Sequence, residues 1–396
     1  MDRGSVDDTC WRLDRSFVHL NHGSYGACPV PVLDAQDGWR DDLERDPTGF
    51  FTGGYFAALD AARERLASFV GADPAGLVFV PNATTGVNAV LRSWERRLTR
   101  GDEILVTDHT YAACRNVVDA TAARTGARVV VARLPFPVAS AGDVVEAVVR
   151  AAGPRSRLAL VDHVTSSTAL MVPVAAIVDA LEPAVAVLVD GAHAPGMVPL
   201  DLDRLGASYV VGNCHKWLCA PKGAGYLWAR TDHREGLEPV VISHGWNGRS
   251  RGNPNRLHEL FDWPGTFDPS AWLAVPDAID TVGGLRLGGW PEVMASNRAL
   301  ALAGRDIVCD ALGIDPPCPD ELIGAMAAAP MSAGAGGAAE DLRRWLREVH
   351  RIVVAVSPWP GPGGRLVRWS AQQYNHLGDY ERLGAALAAA PTRTTG

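Results

Sequence analysis

The chain has 396 residues, of which 47% are hydrophobic and 21% charged, a composition typical of a folded globular protein and not of a disordered chain. Its formal net charge of −8 disfavours a nucleic-acid or anionic-membrane partner. Only two lysines occur, Lys216 and Lys222, so arginine supplies nearly all of the 37 cationic residues.

The N-terminal stretch, "MDRGSVDDTCWRLDRSF", is acidic and has no apolar core, so we expect no signal peptide. No run of about 18 uncharged apolar residues is present, which predicts no membrane span. Seven scattered cysteines favour a reducing cytoplasm over a disulfide framework. "CHKWLC" has no second pair of ligands at zinc spacing, so no metal site is expected.

Short apolar runs alternate with helical patterns through the first two-thirds of the chain. Several of the runs are continuously apolar, as strands covered on both faces are. Predicted strands are 77–80, 103–107, 128–134, 157–164, 184–190, 208–213 and 223–228, and predicted helices include 56–70 and 143–152. The alternation predicts an α/β fold with a mainly parallel sheet between helices.

After Pro269 the pattern indicates a smaller α+β domain. Predicted helices are 271–282, 292–312, 339–349 and one at the C-terminus, predicted strands are 351–357 and 365–370, and 327–338 and 358–364 are a predicted loop and turn. We therefore expect three parts: an N-terminal segment (1–50) that contributes to the small domain and the substrate entrance, a large domain (51–268) and a small domain (269–396).

Two candidate chemical groups follow buried strands. Asp190 ends the run "AVAVLVD", and Lys216 lies just beyond "SYVVGN" in an apolar, aromatic stretch. Asp190 could instead cap a helix, and Lys216 could lie on the surface. A desolvated lysine is a nucleophile, however, and arginine cannot replace it in an imine. Because ligands bind at the carboxyl ends of such strands, the pair favours pyridoxal phosphate.

The stretch "FVPNATTGVNAVLRS" (79–93) passes from a strand into a helix through Asn-Ala-Thr-Thr-Gly. Backbone N–H groups and threonine hydroxyls at a helix N-terminus suit a phosphate group. An ordinary capped helix would give the same pattern, so the phosphate interpretation depends on Asp190 and Lys216.

Eight motifs together resemble class V aminotransferase-fold enzymes of the pyridoxal-phosphate fold type I group, and in particular their isopenicillin N epimerase branch. They are "HLNHGSYGACP" (19–29), "PNATTGVN" (81–88), "DHTYAAC" (108–114), "DHVTSSTALMVPV" (162–174), "DGAHAPG" (190–196), "NCHKWLCAPKGAGYLW" (213–228), "WPGTFDPS" (263–270) and "RLVRWSAQQYN" (365–375). The resemblance covers nearly the whole chain. The motif "NHGSYG" is the one that indicates the isopenicillin N epimerase branch in particular.

The resemblance implies roles for individual residues. Lys216 would be the Schiff-base lysine and proton shuttle, Asp190 the partner of the pyridine nitrogen, and His109 the residue stacked on the ring, with Tyr111 as the alternative. The implied cofactor-binding residues are Ala83, Thr84, His109, Asp190, His193, Asn213, His215, Lys216 and Thr266. The implied substrate-binding residues are Asn21, His22, Gly23, Ser24, Tyr25 and Arg368, where Arg368 would hold the α-carboxylate.

Further implications concern assembly. Thr266 would reach the phosphate of the neighbouring subunit, which implies a homodimer with shared active sites. Ser166 would lie near the ring, whereas Lys222 would be structural or near the phosphate. Substrate specificity would depend on 21–26, 244–265 and the partner chain, where His244, Trp246 and Trp263 could form the pocket or pack an interface.

The reaction is less specified, because these enzymes share the residues around the cofactor. The leading hypothesis is β-elimination of the C–S bond of a cysteine S-conjugate in antibiotic metabolism. Epimerisation, decarboxylation-coupled oxidative deamination and aminotransfer are alternatives, and an inactive binding protein is a different class. Segment 357–370 has no cysteine, which disfavours a desulfurase, and no G-x-G-x-x-G follows an early strand, which disfavours hydride transfer.

Overall fold

A computed structural model describes residues 10–331, 339–359 and 364–390. Twelve strands lie within these ranges: β1 (Val18–His19), β2 (Leu77–Val80), β3 (Glu103–Thr107), β4 (Arg128–Ala132), β5 (Ser156–Asp162), β6 (Ala186–Gly191), β7 (Tyr209–Asn213), β8 (Gly225–Ala229), β9 (Met326–Met331), β10 (Ile352–Val353), β11 (Ala355–Pro358) and β12 (Arg365–Ser370).

The helices of the same ranges are α1 (His22–Tyr25), α2 (Val30–Arg45), α3 (Pro47–Gly49), α4 (Tyr55–Val70), α5 (Ala83–Trp94), α6 (Ala112–Thr125), α7 (Ala141–Ala151), α8 (Val174–Leu181), α9 (Leu202–Leu205), α10 (Arg256–Phe261), α11 (Ser270–Leu273), α12 (Val275–Gly283), α13 (Gly289–Leu312), α14 (Ala339–Glu348) and α15 (Leu377–Ala388). A π-helical turn, Phe50–Gly54, joins α3 to α4. None of the helices in the described ranges combines the length and the apolar character needed to cross a bilayer.

The main sheet has seven strands in the order β2-β8-β7-β6-β5-β3-β4. Strand β8 is antiparallel to both of its neighbours, and all other neighbouring pairs are parallel. The seven strands predicted from apolar runs are all present, and the prediction of a mainly parallel α/β sheet is confirmed.

The strands bury both faces, because successive side chains point to opposite sides of a sheet. In β6, Val187 and Val189 join one large apolar cluster, whereas Ala186 and Leu188 join a second cluster on the other face. Helix α5 packs its apolar residues into that second cluster. The sheet is thus held between two helical layers, which leaves its strand ends open for a site.

The C-terminal part contains an antiparallel sheet in the order β11-β12-β9, and α13 packs on both β9 and α15. The predicted loop 327–338 is therefore wrong over 327–331, which belong to β9, while 332–338 lie outside the described residues. The alanines of β9 pair with the middle strand β12 and are buried. Pairing and burial here override the low strand propensity of alanine.

Other predicted elements of this part differ in detail. The predicted strand 351–357 is divided, because β10 pairs in parallel with β1 and β11 pairs with β12. The predicted helix 271–282 is divided into α11 and α12, with Pro276 in the first turn of α12. Much of the predicted turn 358–364 lies outside the described residues.

The N-terminal segment joins the C-terminal part through main-chain contacts. Besides the β1–β10 pairing, the backbone N–H of Ser370 donates to the carbonyl of Leu20 at 2.8 Å. These contacts hold α1 against β12. The three-part division expected from the sequence stays a prediction.

A buried charge cluster stabilises the contact between α4 and the segment around α10. Arg63, only 2% exposed, donates to Asp262 at 2.6 Å and contacts Nδ1 of His258 at 2.9 Å. Arg251 bridges Asp60 and Asp262. Although Asp60, His258 and Asp262 lie close enough to hold a metal ion, two guanidinium groups already neutralise their carboxylates.

Candidate active site

A cavity of about 220 Å³ opens at the carboxyl ends of β5, β6 and β7, beside the N-terminus of α5. Its lining residues are Ser24, Tyr25, Asn82, Ala83, Thr84, Tyr111, Asp162, Val164, Ser166, Asp190, Ala192, His193, Asn213, His215 and Lys216. Most of the residues predicted for the cofactor thus come together here, from three separate parts of the chain.

Lys216 lies just after β7, with its Nζ 3.2 Å from Nε2 of His193. The indole N–H of Trp217 donates to Nδ1 of the same imidazole at 3.3 Å. Burial lowers the pKa of Lys216 to about 8, against the opposing attraction of Asp190. Lys216 is therefore about one-tenth neutral at pH 7 and half neutral at pH 8, far more than an exposed lysine, and a nucleophilic amine must be neutral.

Asp190 lies in β6 and is 4% exposed. One carboxylate oxygen accepts the backbone N–H of Ala192 at 3.0 Å, and the other accepts the thiol of Cys114 at 3.3 Å. Burial raises the pKa of Asp190, while these hydrogen bonds and Lys216 oppose the rise. The carboxylate is thus held by fixed donors and can pair with a ring N–H in the cavity.

Asp162 also lines the cavity, although the sequence analysis gave it no role. It ends β5 as Asp190 ends its apolar run in β6, and the two are register partners on these parallel strands. Tyr111 donates its backbone N–H to one Asp162 oxygen at 3.4 Å, while the other oxygen is buried and has no hydrogen-bond partner among the described residues. In the sequence, Asp162 and Asp190 each end an apolar run, and this shared pattern could have identified Asp162 as a site residue.

Donors for an anion gather at the start of α5. Asn82 caps this helix by accepting the Thr85 N–H at 2.9 Å, and Ala83 donates its N–H to Oδ1 of Asn213 at 2.8 Å. The Ala83 N–H is thus already used, whereas the Asn213 NH₂ remains a donor beside the Thr84 hydroxyl. The helix N-terminus adds a favourable field for an anion.

His215 completes this end of the cavity. Its Nδ1 lies 3.3 Å from the carbonyl of Ala224, which orients the ring. Burial lowers the pKa of His215 to about 4, so the ring is neutral near pH 7 and its one N–H is donated from Nδ1 to that carbonyl.

Arg368 lies in β12, behind Ser24 and Ser166, and is 5% exposed. Its guanidinium donates to the carbonyl of Ser166, to Asn21 at 3.1 Å and to Ser24 at 2.8 Å. These acceptors are all neutral, its Nε has no hydrogen-bond partner among the described residues, and burial lowers the Arg368 pKa to about 10. A buried cation with neutral acceptors favours an incoming anion.

His22 lies behind the lysine and does not line the cavity. Its ring contacts the carbonyl of Lys216 at 2.9 Å and the hydroxyl of Tyr374 at 3.0 Å. Gly23 is packed beneath it, where an added Cβ would lie 2.4 Å from the sulfur of Met326. The direct substrate contacts predicted for His22 and Gly23 stay predictions, but their positions support the backbone of Lys216.

Gly26 shows why glycine is required at the end of this segment. Its φ is +70°, and an added Cβ would lie 1.9 Å from the carbonyl oxygen of His215. Any side chain here would push the N-terminal segment away from the loop that carries Lys216.

Tyr111 lines the cavity and is 44% exposed, whereas His109 lies outside the lining and is 5% exposed. Nδ1 of His109 lies 3.1 Å from the Thr168 hydroxyl, and its ring packs edge-on against Phe136 and Trp359. The geometry favours Tyr111 of the two candidates for stacking, and the assignment stays a prediction.

The remaining predicted residues lie elsewhere. Thr266, Lys222, His244 and Trp246 are exposed outside the cavity. Trp263 packs against Phe51 at a ring-centroid distance of 5.2 Å, which favours the packing alternative for this residue. A larger cleft of about 660 Å³ adjoins the cavity at Ser24 and Tyr25 and is also lined by Asn21 and His22.

Pyridoxal phosphate fits this arrangement of residues. The cavity brings together a desolvated amine, a buried carboxylate and a cluster of anion donors, the three kinds of group that an aldehyde, a ring nitrogen and a phosphate require. The buried guanidinium of Arg368 supplies a counter-charge for a carboxylate. Lys216 would hold the cofactor's aldehyde carbon, Asp190 its ring nitrogen, and the start of α5 its phosphate.

Comparisons with known proteins agree with this fit. A family model described as aminotransferase class-V matches residues 51–259. The chain is 39% identical over 388 residues to the isopenicillin N epimerase of Amycolatopsis lactamdurans, which covers 95% of each chain. It is 32% identical over 408 residues to a putative L-cysteine desulfhydrase 1 of Oryza sativa subsp. japonica, in an alignment that covers 94% of this chain and 83% of that protein.

A solved structure of the cystine C-S lyase C-DES, in complex with cysteine persulfide, superposes with a TM-score of 0.77 at 22% identity, over 95% of this chain and 98% of that one. At this identity the likeness demonstrates a shared fold alone. Together with the family match and the fit of the cavity, it identifies the chain as a fold type I, pyridoxal-phosphate-dependent member of the class V aminotransferase family.

Proposed function

We propose that the protein cleaves the C–S bond of an amino acid with a cysteine-type side chain by β-elimination. The observation that carries the proposal is the position of Lys216, a desolvated amine close enough to the buried Asp190 and Arg368 for both charges to act on its pKa. Similarity to L-cysteine desulfhydrases over 94% of the chain supports the choice of side chain.

When bound, pyridoxal phosphate stabilises negative charge at the Cα of an attached amino acid. Arg368 binds the α-carboxylate through its forked N–H groups, and Asp190 holds the proton at the ring nitrogen. The neutral amine of Lys216 removes the Cα proton, and the resulting ammonium can return a proton to the departing sulfur. Thr84 and Asn213 would donate to the phosphate, and His215 would lie beside it, as the resemblance implies.

The fate of the sulfur follows from the lining of the cavity. None of the described lining residues is a cysteine, so the sulfur has no enzyme thiol to attack it. The C–S bond breaks with its electron pair on sulfur, which leaves as a thiol after gaining one proton. Hydrolysis of the three-carbon fragment consumes one water and yields pyruvate and ammonia.

The test is mass spectrometry of a reaction in D₂O with the holoenzyme and S-benzyl-L-cysteine. The proposal expects pyruvate and benzyl mercaptan in equal amounts. Recovery of the intact amino acid with deuterium at Cα and no pyruvate would reject elimination.

The two lysines provide a matched control. Lys216→Ala should abolish turnover, whereas Lys222→Ala should retain it, because Lys222 is exposed and lies outside the cavity. Borohydride treatment of the holoenzyme, followed by peptide mapping, should find the cofactor on Lys216. A cofactor found on Lys222 would overturn the assignment of the reactive amine.

Epimerisation at Cα is the second candidate, favoured by the 39% identity to isopenicillin N epimerase. It uses the same removal of the Cα proton but requires its return to the opposite face. The D₂O experiment separates the two, since epimerisation leaves deuterated substrate of both configurations.

Three further parts of the proposal concern context. We expect a homodimer in which Thr266 reaches the partner's phosphate site, a cytoplasmic location and a role in antibiotic metabolism. The domain boundaries 1–50, 51–268 and 269–396 also remain part of the proposal. The exposed position of Thr266 is consistent with a role across a subunit interface.

A further inference from the structure

Two carboxylic acids face the cavity side by side. Asp162 and Asp190 are register partners on β5 and β6. In-register residues of parallel strands point to the same face, and neighbouring strands lie about 4.8 Å apart. Both side chains line the cavity, with Asp162 3% exposed and Asp190 4% exposed. Two negative charges at this spacing, away from water, repel strongly.

The two carboxyl groups differ in the hydrogen bonds that they accept. Asp190 accepts one hydrogen bond on each oxygen, from Ala192 and Cys114. Asp162 accepts a long bond from the Tyr111 N–H, with a further contribution from its own backbone N–H, and its Oδ2 is buried without a hydrogen-bond partner among the described residues. The structure thus stabilises an anion at Asp190 and leaves an oxygen of Asp162 available to carry a proton.

The surrounding charges agree with this division. Among the described residues, the titratable groups whose charges act on Asp162 are Asp190 on β6, Cys114 in α6 and Lys216 after β7. Burial, followed by the charge of Asp190, raises the pKa of Asp162 well above its ordinary value. For Asp190 burial also raises the pKa, but two hydrogen bonds and Lys216 oppose the rise. When two carboxyl groups share a site, one keeps its proton.

We propose that Asp162 is a protonated, neutral carboxylic acid, so that the single negative charge of the pair lies on Asp190. Asp162 is then a positioning residue, because it acts on the ring nitrogen of the cofactor through Asp190. Its proton also gives the cavity a neutral donor on the partnerless Oδ2. The inference depends on the cofactor but not on which bond of the amino acid is broken.

Infrared spectroscopy of the holoenzyme tests the location of the proton. At pH 8 the wild-type protein should show a carbonyl band of a protonated carboxyl group. Outside the pair, Asp262 is the buried aspartate of the described residues whose pKa is raised, to about 6, so it is ionised at pH 8. The band should vanish in Asp162→Asn and persist in Asp190→Asn. Loss of the band in Asp190→Asn alone would place the proton on Asp190 and overturn the proposal.

Cofactor binding gives a second readout. Asp162→Asn replaces a neutral acid by a neutral amide of the same shape, so the cofactor dissociation constant should stay within about threefold of wild type. Asp190→Asn removes a charge-assisted hydrogen bond and should weaken binding by roughly tenfold or more. The visible absorption spectrum of the bound cofactor should likewise change little in Asp162→Asn and more in Asp190→Asn.

Equal weakening in the two variants would mean that Asp162 is ionised in the working enzyme, and the proposal would be wrong. If Asp162→Asn does not fold, a wild-type band that persists in Asp190→Asn still locates the proton outside Asp190 and supports the proposal. A wild-type holoenzyme without a protonated carboxyl band at pH 8 contradicts the proposal directly.

Discussion

Lys216 Nζ lies 3.2 Å from Nε2 of His193, and the direction of that hydrogen bond is fixed from the far side of the ring. The Trp217 indole can only donate, so Nδ1 of His193 accepts its N–H. The neutral imidazole then carries its proton on Nε2 and donates it to Lys216. Only a deprotonated amine can accept that bond, so Trp217 favours the reactive form of the lysine.

This relationship predicts the effect of Trp217→Phe. Without the indole donor, the imidazole proton can move to Nδ1, and Nε2 then stabilises the ammonium form of Lys216. The rate at which apoenzyme binds pyridoxal phosphate should rise with pH, with its midpoint at about pH 8 in wild type, the pKa of Lys216, and at higher pH in the variant. Stopped-flow absorbance at a series of pH values measures this.

Trp228→Phe is the matched control. Trp228 is equally buried, at 2% exposed, but its indole N–H has no hydrogen-bond partner among the described residues. The pH midpoint should stay at the wild-type value. A shared midpoint in all three proteins would show that the indole does not govern the lysine.

Arg368→Gln should weaken substrate binding while leaving the fold intact. Loss of a hydrogen-bonded charge pair with the α-carboxylate costs about 1.5–3 kcal/mol, so KM should rise roughly tenfold to a hundredfold. Arg365→Gln is the comparison, because residues three apart on a strand point to opposite faces. An unchanged KM in Arg368→Gln would exclude this guanidinium as the carboxylate site.

His22→Ala should affect stability and kcat more than KM. The substitution leaves a cavity and removes partners from the Lys216 carbonyl and the Tyr374 hydroxyl, a loss of about 2–4 kcal/mol measurable by urea unfolding. Ser24→Ala, at the rim of the cavity, should destabilise the protein far less. If KM rises instead, as in Arg368→Gln, then His22 contacts the substrate directly as the resemblance implied.

His22 also predicts sensitivity to acid. Burial lowers its pKa to about 3 from the ordinary value of 6.5. Below pH 6.5 the His22 ring is protonated in the unfolded chain but stays neutral in the native protein. The free energy of unfolding therefore decreases as the pH falls toward 3. Between pH 7.5 and 5.0 the wild type should lose about 2 kcal/mol more than His22→Gln. His376→Gln, at an exposed histidine, should behave like wild type.

Sequence patterns predicted the main sheet because its strands are buried on both faces and read as continuous apolar runs. They failed at β9, whose alanines form a strand only through pairing with β12, a contact distant in the chain. The residues around Lys216 were recognisable because each follows a strand or opens a helix. The role of Asp162 was missed, since its meaning depends on the register between β5 and β6, which one sequence does not contain.

The position of Thr266 leads to a final prediction about subunit sharing. In a single chain this residue is exposed and lies outside the cavity lining. If it completes the phosphate site of a partner, Thr266→Val should weaken cofactor binding without lowering the free energy of unfolding of the chain. Loss of one hydrogen bond to a charged group predicts an effect of roughly tenfold.

Mixing the Lys216→Ala and Thr266→Val variants, at a cofactor concentration that leaves the Thr266→Val protein largely unloaded, distinguishes a shared site from an indirect effect. Lys216 and Thr266 act in the same site but come from different chains of the expected dimer. A mixed dimer of Lys216→Ala and Thr266→Val chains therefore contains one site with both residues intact and one with neither. Activity should return on mixing, at about a quarter of wild type if half of the dimers are mixed. Absence of any recovery, with mixed dimers demonstrated by native mass spectrometry, would confine each site to a single chain.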